Sequence, residues 1–149
     1  MAVFVGSGEL EVALRESAAK LAVPAFFTGF KNQSELPACY AAADALVLPS
    51  QSETWGLVVN EAMACGLPAV VSDVIGCVPD LIDEGATGYA FPAGNPAALA
   101  GRLLQLAALR AAGHDFAPAL AAKLKVYSLE NAVRGTLAAV ESVAKSSPT

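Results

Sequence analysis

Pro49-Ser50-Gln51-Ser52-Glu53-Thr54-Trp55-Gly56-Leu57-Val58-Val59-Asn60-Glu61-Ala62-Met63-Ala64-Cys65-Gly66 is the stretch whose reading decides the fold of this chain. It follows a short apolar run, Ala45-Leu46-Val47-Leu48, that stops hard at Pro49-Ser50 as a buried strand does. A helix is expected from about Gly56 to Cys65, because Gly66 suits the position just past a helix C terminus. Glu53 then lies before the helix, near its partly positive N terminus. It sits in a strand-to-helix turn of the kind where open α/β sheets bind ligands. Residues three, four and seven apart share a helix face, so Leu57, Glu61, Ala64 and Cys65 are expected on one side. That spacing puts Glu61 inside an apolar stripe, where a lone carboxylate is costly, and predicts a polar partner for it.

Outward from this stretch the pattern alternates. Strands are expected at Ala2–Val5, Ala25–Thr28, Ala45–Leu48, Ala69–Ser72 and Gly88–Phe91. Helices are expected at Glu9–Leu21, Gln33–Ala42, Gly56–Cys65, Val78–Glu84 and Pro96–Ala111. Such alternation indicates βαβ units and a parallel sheet flanked by helices, a Rossmann-like α/β fold. Phe116 to Ala144 is Ala-rich and reads as two more helices broken near Tyr127-Ser128, with Lys145 to Thr149 as a frayed tail. No internal repeat or linker is visible, and 149 residues fit one domain with a sizeable core.

Composition narrows the functions. Hydrophobic content of 55% against 15% charged residues describes a well-buried domain, not a disordered one. A formal net charge of −5 argues against general nucleic-acid binding, which needs basic patches. An acidic chain still binds a diphosphate through backbone N–H groups at a helix N terminus. The three cysteines, Cys39, Cys65 and Cys77, show no metal-ligand spacing and the single histidine is His114, which predicts a reducing, cytoplasmic setting and no structural zinc. No leader-like segment and no apolar run of membrane-spanning length stand out.

The central stretch resembles the Glu-x7-Glu signature of the retaining, GT-B-fold glycosyltransferases that use nucleotide sugars. Val3-Phe4-Val5-Gly6-Ser7-Gly8 resembles that family's strand and Gly-x-Gly turn, and Phe26-Phe27-Thr28-Gly29-Phe30 its next strand end. Tyr40 to Asp44 resembles its lead-in to the third strand. Gly66-Leu67-Pro68-Ala69-Val70-Val71-Ser72-Asp73 and Gly85-Ala86-Thr87-Gly88-Tyr89 match downstream, so six collinear pieces span roughly residues 3–110. Complete family members have two Rossmann-like domains with the active site between them. The resemblance covers only the C-terminal, donor-binding one, and its extra C-terminal helices. The family's basic pair that grips the donor diphosphate has no counterpart here, since Arg15, Lys20 and Lys31 do not occupy its place. The resemblance thus implies residues 1–149 as a single donor-binding domain, without the N-terminal acceptor domain and inactive alone. The uncovered inter-domain face would then favour self-association.

The resemblance also implies roles. Glu53 meets the sugar hydroxyls at the reacting centre and Glu61 accepts both ribose hydroxyls. Trp55, Gly56, Leu57 and Val58 offer backbone contacts to sugar and phosphate, which Gly56 permits by letting backbone approach closely. The backbone around Phe30 meets the base, and Gly6 and Gly8 line the donor. The donor is a nucleotide sugar acting as co-substrate, with no cofactor; no metal is expected, and no Asp-x-Asp motif is present.

Ordinary structural roles stand beside each assignment. Glu53 alone would complement the helix dipole, worth about 0.3–1 kcal/mol, and Glu61 would pair with a core lysine or a backbone group. Gly6 and Gly8 would form a tight turn, and Trp55 would pack. Asp44 and Asp73 read as strand-end caps, Asp80 as serving a short helix start, and His114 as solvent-facing or packed. The Leu99–Leu109 stripe reads as core. Two other functions stay open: a non-catalytic nucleotide-binding module or half of a split enzyme, and a nucleotide-sugar 2-epimerase-like enzyme. Donor base, donor sugar and acceptor leave no trace in the residues.

Overall fold

The computed structural model describes residues 1–146, which form two compact units, Met1–Asp44 and Ala45 onward. All regular strand pairing is parallel.

In the first unit, β1 (Ala2–Phe4) pairs with β2 (Ala25–Phe27), with Phe4 opposite Phe27, and α1 (Glu11–Lys20) connects them. The Phe4 and Phe27 rings stack at 4.5 Å, and the Arg15 guanidinium lies 4.2 Å over Phe27. Helix α2 (Leu36–Ala41) is shorter than the expected Gln33–Ala42. Asn32 is the cause: its Oδ1 accepts the N–H groups of Ser34 and Glu35, an Asx turn that occupies the residues before the helix.

The second unit holds the core. Strands β3 (Leu46–Leu48), β4 (Ala69–Ser72) and β5 (Gly88–Phe91) lie in that order. Every residue of the central strand β4 is buried, as a parallel strand covered on both faces requires. Helix α3 (Leu57–Ala64) packs on β4 and on α6 (Ala117–Val126); α5 (Pro96–Ala111) packs on β4 and β5. Leu106 is buried, with Leu99, Leu103 and Leu109 packed against the same core, so the expected stripe does face inward. Burying such side chains is worth about 1.5–3 kcal/mol each. Asn95 caps α5, its Oδ1 accepting the Ala98 N–H at 3.0 Å.

Two helix ends depart from expectation. Helix α4 (Val78–Leu81) stops three residues before Glu84. The buried Thr87 hydroxyl donates to Leu81 O at 2.7 Å and accepts the Asp83 N–H at 2.8 Å, which turns the chain out of the helix at Ile82. Helix α7 (Leu129–Ser146) begins after the expected break at Tyr127-Ser128 but continues through Lys145 instead of fraying there. Lys145 pairs with Glu141 one turn earlier at 3.8 Å. The rest of the expected frayed tail lies outside the described residues. No helix among the described residues is long and apolar enough to cross a membrane.

Candidate functional site

The loop between β3 and α3 is held at one end by the last residue of β4 and at the other by residues 75–77, which follow that strand. The buried Ser72 hydroxyl donates to Ser50 O. Further along, Glu53 bridges to Ile75 in parallel fashion, and the Gly76 N–H donates to Glu53 O at 3.2 Å. The Cys77 N–H donates to Trp55 O at 3.0 Å. This apposition demands glycine at 76, since a Cβ there would lie 2.0 Å from Thr54 O. The segment 53–55 is therefore held against residues 75–77 by an isolated parallel bridge, not left as a free loop.

Gly56 then turns the chain into α3. Its φ of 99° and ψ of 56° are left-handed, and a Cβ there would lie 3.0 Å from Ile75 Cγ2. No side chain caps α3. The first N–H groups of a helix have no intrahelical acceptors and carry partial positive charge. At α3 these belong to the Gly56–Val58 stretch, directly after Glu53, whose own side chain is exposed. The turn thus presents a carboxylate and a set of oriented donors together. The carboxylate also acts inward. Burial pushes the Cys77 thiol pKa up, and the negative charges of Asp80 and Glu53 push the same way.

Glu61 lies on α3 about one turn beyond the N-terminal donors, and its position corrects the sequence reading. The buried face of the helix is Val59, Ala62 and Met63, the side packed on β4. Leu57 is 68% exposed and Ala64 is exposed, with Glu61 and Cys65 half-buried. Glu61 is therefore not sunk in the core stripe, although it is not without a partner within the chain.

Of the residues expected to bind donor, Glu53, Trp55, Gly56, Leu57, Val58 and Glu61 are brought together here. Phe30, Gly6 and Gly8 belong to the other unit. There the Gly6 N–H donates to Gly29 O at 3.0 Å, next in sequence to Phe30, which is 77% exposed. Asp73 does cap a strand end, its Oδ1 accepting the Ala93 N–H at 3.0 Å. His114 is exposed and stands edge-on to Phe116 at 4.6 Å.

The sequence reading missed the group behind Trp55. Its indole N–H donates to Asn60 Oδ1 at 3.0 Å, and its ring lies 6.2 Å from that of Tyr127. The Tyr127 hydroxyl donates to Asp80 Oδ1 at 2.7 Å. The sole local signal was a polar Asn inside the apolar run Leu57–Ala64.

Known proteins resemble this chain in sequence and in fold. A curated relative, the sulfoquinovosyl transferase SQD2 of Arabidopsis thaliana, is 44% identical over 97 residues, covering 62% of this chain and 18% of its own length. The amylovoran biosynthesis glycosyltransferase AmsK of Erwinia amylovora is 37% identical over 131 residues, or 82% of this chain and 31% of its own. Among solved structures, the sucrose-phosphate synthase of Thermosynechococcus elongatus superposes with a TM-score of 0.80 at 26% identity, over 97% of this chain and 39% of the other. Anabaena HepE, solved in complex with UDP, has a TM-score of 0.78 at 22% identity, over 93% and 41%. The chain thus spans less than a third of these curated relatives and about two fifths of these solved chains, with the GT-B type of fold in common. The family model of glycosyl transferases group 1 matches residues 1–121, and the chain belongs to that family.

Proposed function

We propose that this chain binds the nucleotide-sugar donor of a retaining glycosyltransferase, through the 53–58 turn and Glu61. The observation that carries the reading is the turn itself: Glu53 and the uncapped N terminus of α3, held in one geometry by Gly76, Cys77 and the left-handed Gly56. Glycosyl transfer breaks the bond between the sugar and the donor diphosphate, so negative charge grows on the phosphate while the sugar becomes oxocarbenium-like. Preoriented N–H groups stabilise such growing charge without reorganisation. Glu53, exposed beside them, meets the sugar hydroxyls. Glu61 accepts the two ribose hydroxyls, charge-assisted bonds worth about 1.5–3 kcal/mol each. The chemistry is metal-independent, the donor phosphate taking the acceptor's proton as the new bond forms on the face the phosphate leaves.

Support also comes from structures of this fold solved with UDP, with UDP and glucose, and with UDP and GlcNAc. The acceptor is bound by a further domain of a longer enzyme, in keeping with the small share of its relatives that this chain covers. The chain alone therefore binds donor without turning it over. Measurable sugar transfer by the purified chain would overturn that division of labour. Site placement is tested by amide NMR of the isotope-labelled chain under added UDP, GDP or ADP. The reading expects the largest shifts at Trp55, Gly56, Leu57 and Val58; shifts that leave this turn untouched refute it.

A further inference from the structure

Trp55 is gripped from two sides. On its backbone side, the Cys77 N–H holds Trp55 O at 3.0 Å. On its side-chain side, the indole N–H donates to Asn60 Oδ1 at 3.0 Å. Asn60 passes the connection on, its Nδ2 donating to the Tyr127 carbonyl at 3.5 Å. Tyr127 stands where α6 ends, its ring tilted 41° to the indole at 6.2 Å. Its hydroxyl closes the circuit on Asp80 Oδ1 at 2.7 Å, in α4, three residues after Cys77. Lys123, one turn earlier on α6, fastens the same corner. Its Nζ donates to Asp80 O at 2.7 Å and pairs with Asp83 at 3.0 Å. The ring of contacts therefore runs from Trp55 through Asn60, Tyr127, Asp80 and Cys77 back to Trp55.

Such a circuit is more than packing demands. Trp55 and Tyr127 are both half-buried at the edge of the core, where the apolar surface alone would leave the indole several orientations. The polar bonds select one. Residue 55 immediately precedes the left-handed Gly56, and any rotation there re-aims the N–H groups that follow. Donors aimed at a developing charge act only when held within a fraction of an ångström.

We propose that Asn60 and Tyr127 are positioning residues for the donor turn: through Trp55 they fix the direction of the N–H groups of Trp55–Val58. This inference rests on the donor-binding reading above. Neither residue has to touch the nucleotide; both act through the indole. Helix α6, far along the sequence from the Glu-x7-Glu stretch, is then part of the binding machinery.

The test uses the 149-residue chain, in which Trp55 is the single tryptophan and so a private optical probe of the turn. Wild type, Asn60→Ala, Asn60→Asp and Tyr127→Phe are titrated calorimetrically with UDP, GDP and ADP, and their tryptophan emission and thermal midpoints are recorded. Asn60→Ala should shift the emission and weaken binding of the preferred nucleotide about tenfold, the effect of one lost hydrogen bond on a preorganised site. Asn60→Asp keeps an oxygen acceptor for the indole but gives up the Nδ2 donor to the Tyr127 carbonyl. It should therefore bind more tightly than Asn60→Ala and restore part of the emission, a graded recovery that general destabilisation would not give. Tyr127→Phe, which removes one hydroxyl and keeps the ring, should weaken binding about fivefold with a smaller emission shift. It decides the matter alone if Asn60→Ala does not fold. Folded variants that bind with wild-type affinity overturn the proposal while leaving donor binding intact. A wild-type chain that binds none of the three nucleotides overturns the donor-binding reading, and the proposal with it.

Discussion

Replacing Gly76 with alanine should damage the candidate site from a residue that carries no chemistry. The added Cβ would lie 2.0 Å from Thr54 O, 2.9 Å from Thr54 C and 3.3 Å from Trp55 Cα. Cβ atoms do not approach other atoms within 3.0 Å, so segment 53–55 and the 75–77 loop must part by about 1 Å, the difference between 3.0 and 2.0 Å. Their two bonds, 3.2 Å from Gly76 N to Glu53 O and 3.0 Å from Cys77 N to Trp55 O, then exceed hydrogen-bonding distance. Each is worth about 0.5–1.5 kcal/mol, so the loss is about 1–3 kcal/mol. Urea unfolding followed by Trp55 emission reports the unit that contains the strap. With an m value of about 2 kcal/mol/M, the midpoint should fall by about 1 M. Gly101→Ala is the control. Gly101 lies inside α5 with nothing within 4 Å of an added Cβ, so alanine there should raise stability by about 0.5–1 kcal/mol. The same chemical change is thus expected to act with opposite sign at two glycines. A Gly76→Ala midpoint at or above the wild-type value refutes the reasoning that the strap fixes Glu53 and Trp55.

Thr87→Val keeps the shape of a fully buried side chain but strips the Leu81 carbonyl and the Asp83 N–H of their partner. The cost should be about 2–3 kcal/mol by urea unfolding, and a cost below about 0.5 kcal/mol would show that α4 ends for some other reason. Alkaline pH probes the far end of the Trp55 circuit. The bond to Asp80, then burial, then the charges of Asp80 and Asp83 hold the Tyr127 phenol above its ordinary pKa. A phenol raised in the folded state contributes stability that is fully present below the unfolded pKa of about 10 and is lost as pH rises through the folded value. Wild type should therefore lose stability above about pH 10 more steeply than Tyr127→Phe, and parallel urea midpoints for the two across that range would contradict this.

Much of the fold is written locally. The apolar run Ala69–Ser72 reads as a strand and is one, buried throughout, whereas Ala45–Leu48, read as a buried strand, forms the edge strand β3 and leaves Val47 39% exposed. Gly66 ends α3 within two residues of the expected place, and the α6–α7 break falls at Tyr127-Ser128. Local signals failed where a distant or competing contact decides. The end of α4 depends on Thr87, six residues beyond Leu81. The orientation of α3 was misread because two of its faces, Leu57/Glu61/Ala64/Cys65 and Val59/Ala62/Met63, are both apolar enough. Periodicity cannot choose between them; packing on β4 and α6 does. The candidate site shows the same split. The turn from Glu53 to Val58 was legible because its residues are contiguous. Its supports were not. Asn60 meets Tyr127 across 67 positions and Asp80 meets it across 47, separations at which sequence carries no periodic signal.

Calorimetric titration of the purified chain with UDP, GDP and ADP, repeated with Glu61→Ala, tests the central claim most directly. The account predicts saturable one-site binding of one nucleotide, lost or weakened at least tenfold in Glu61→Ala, with Glu53→Ala affected less. No binding at millimolar nucleotide, or equal affinity in wild type and Glu61→Ala, would contradict it.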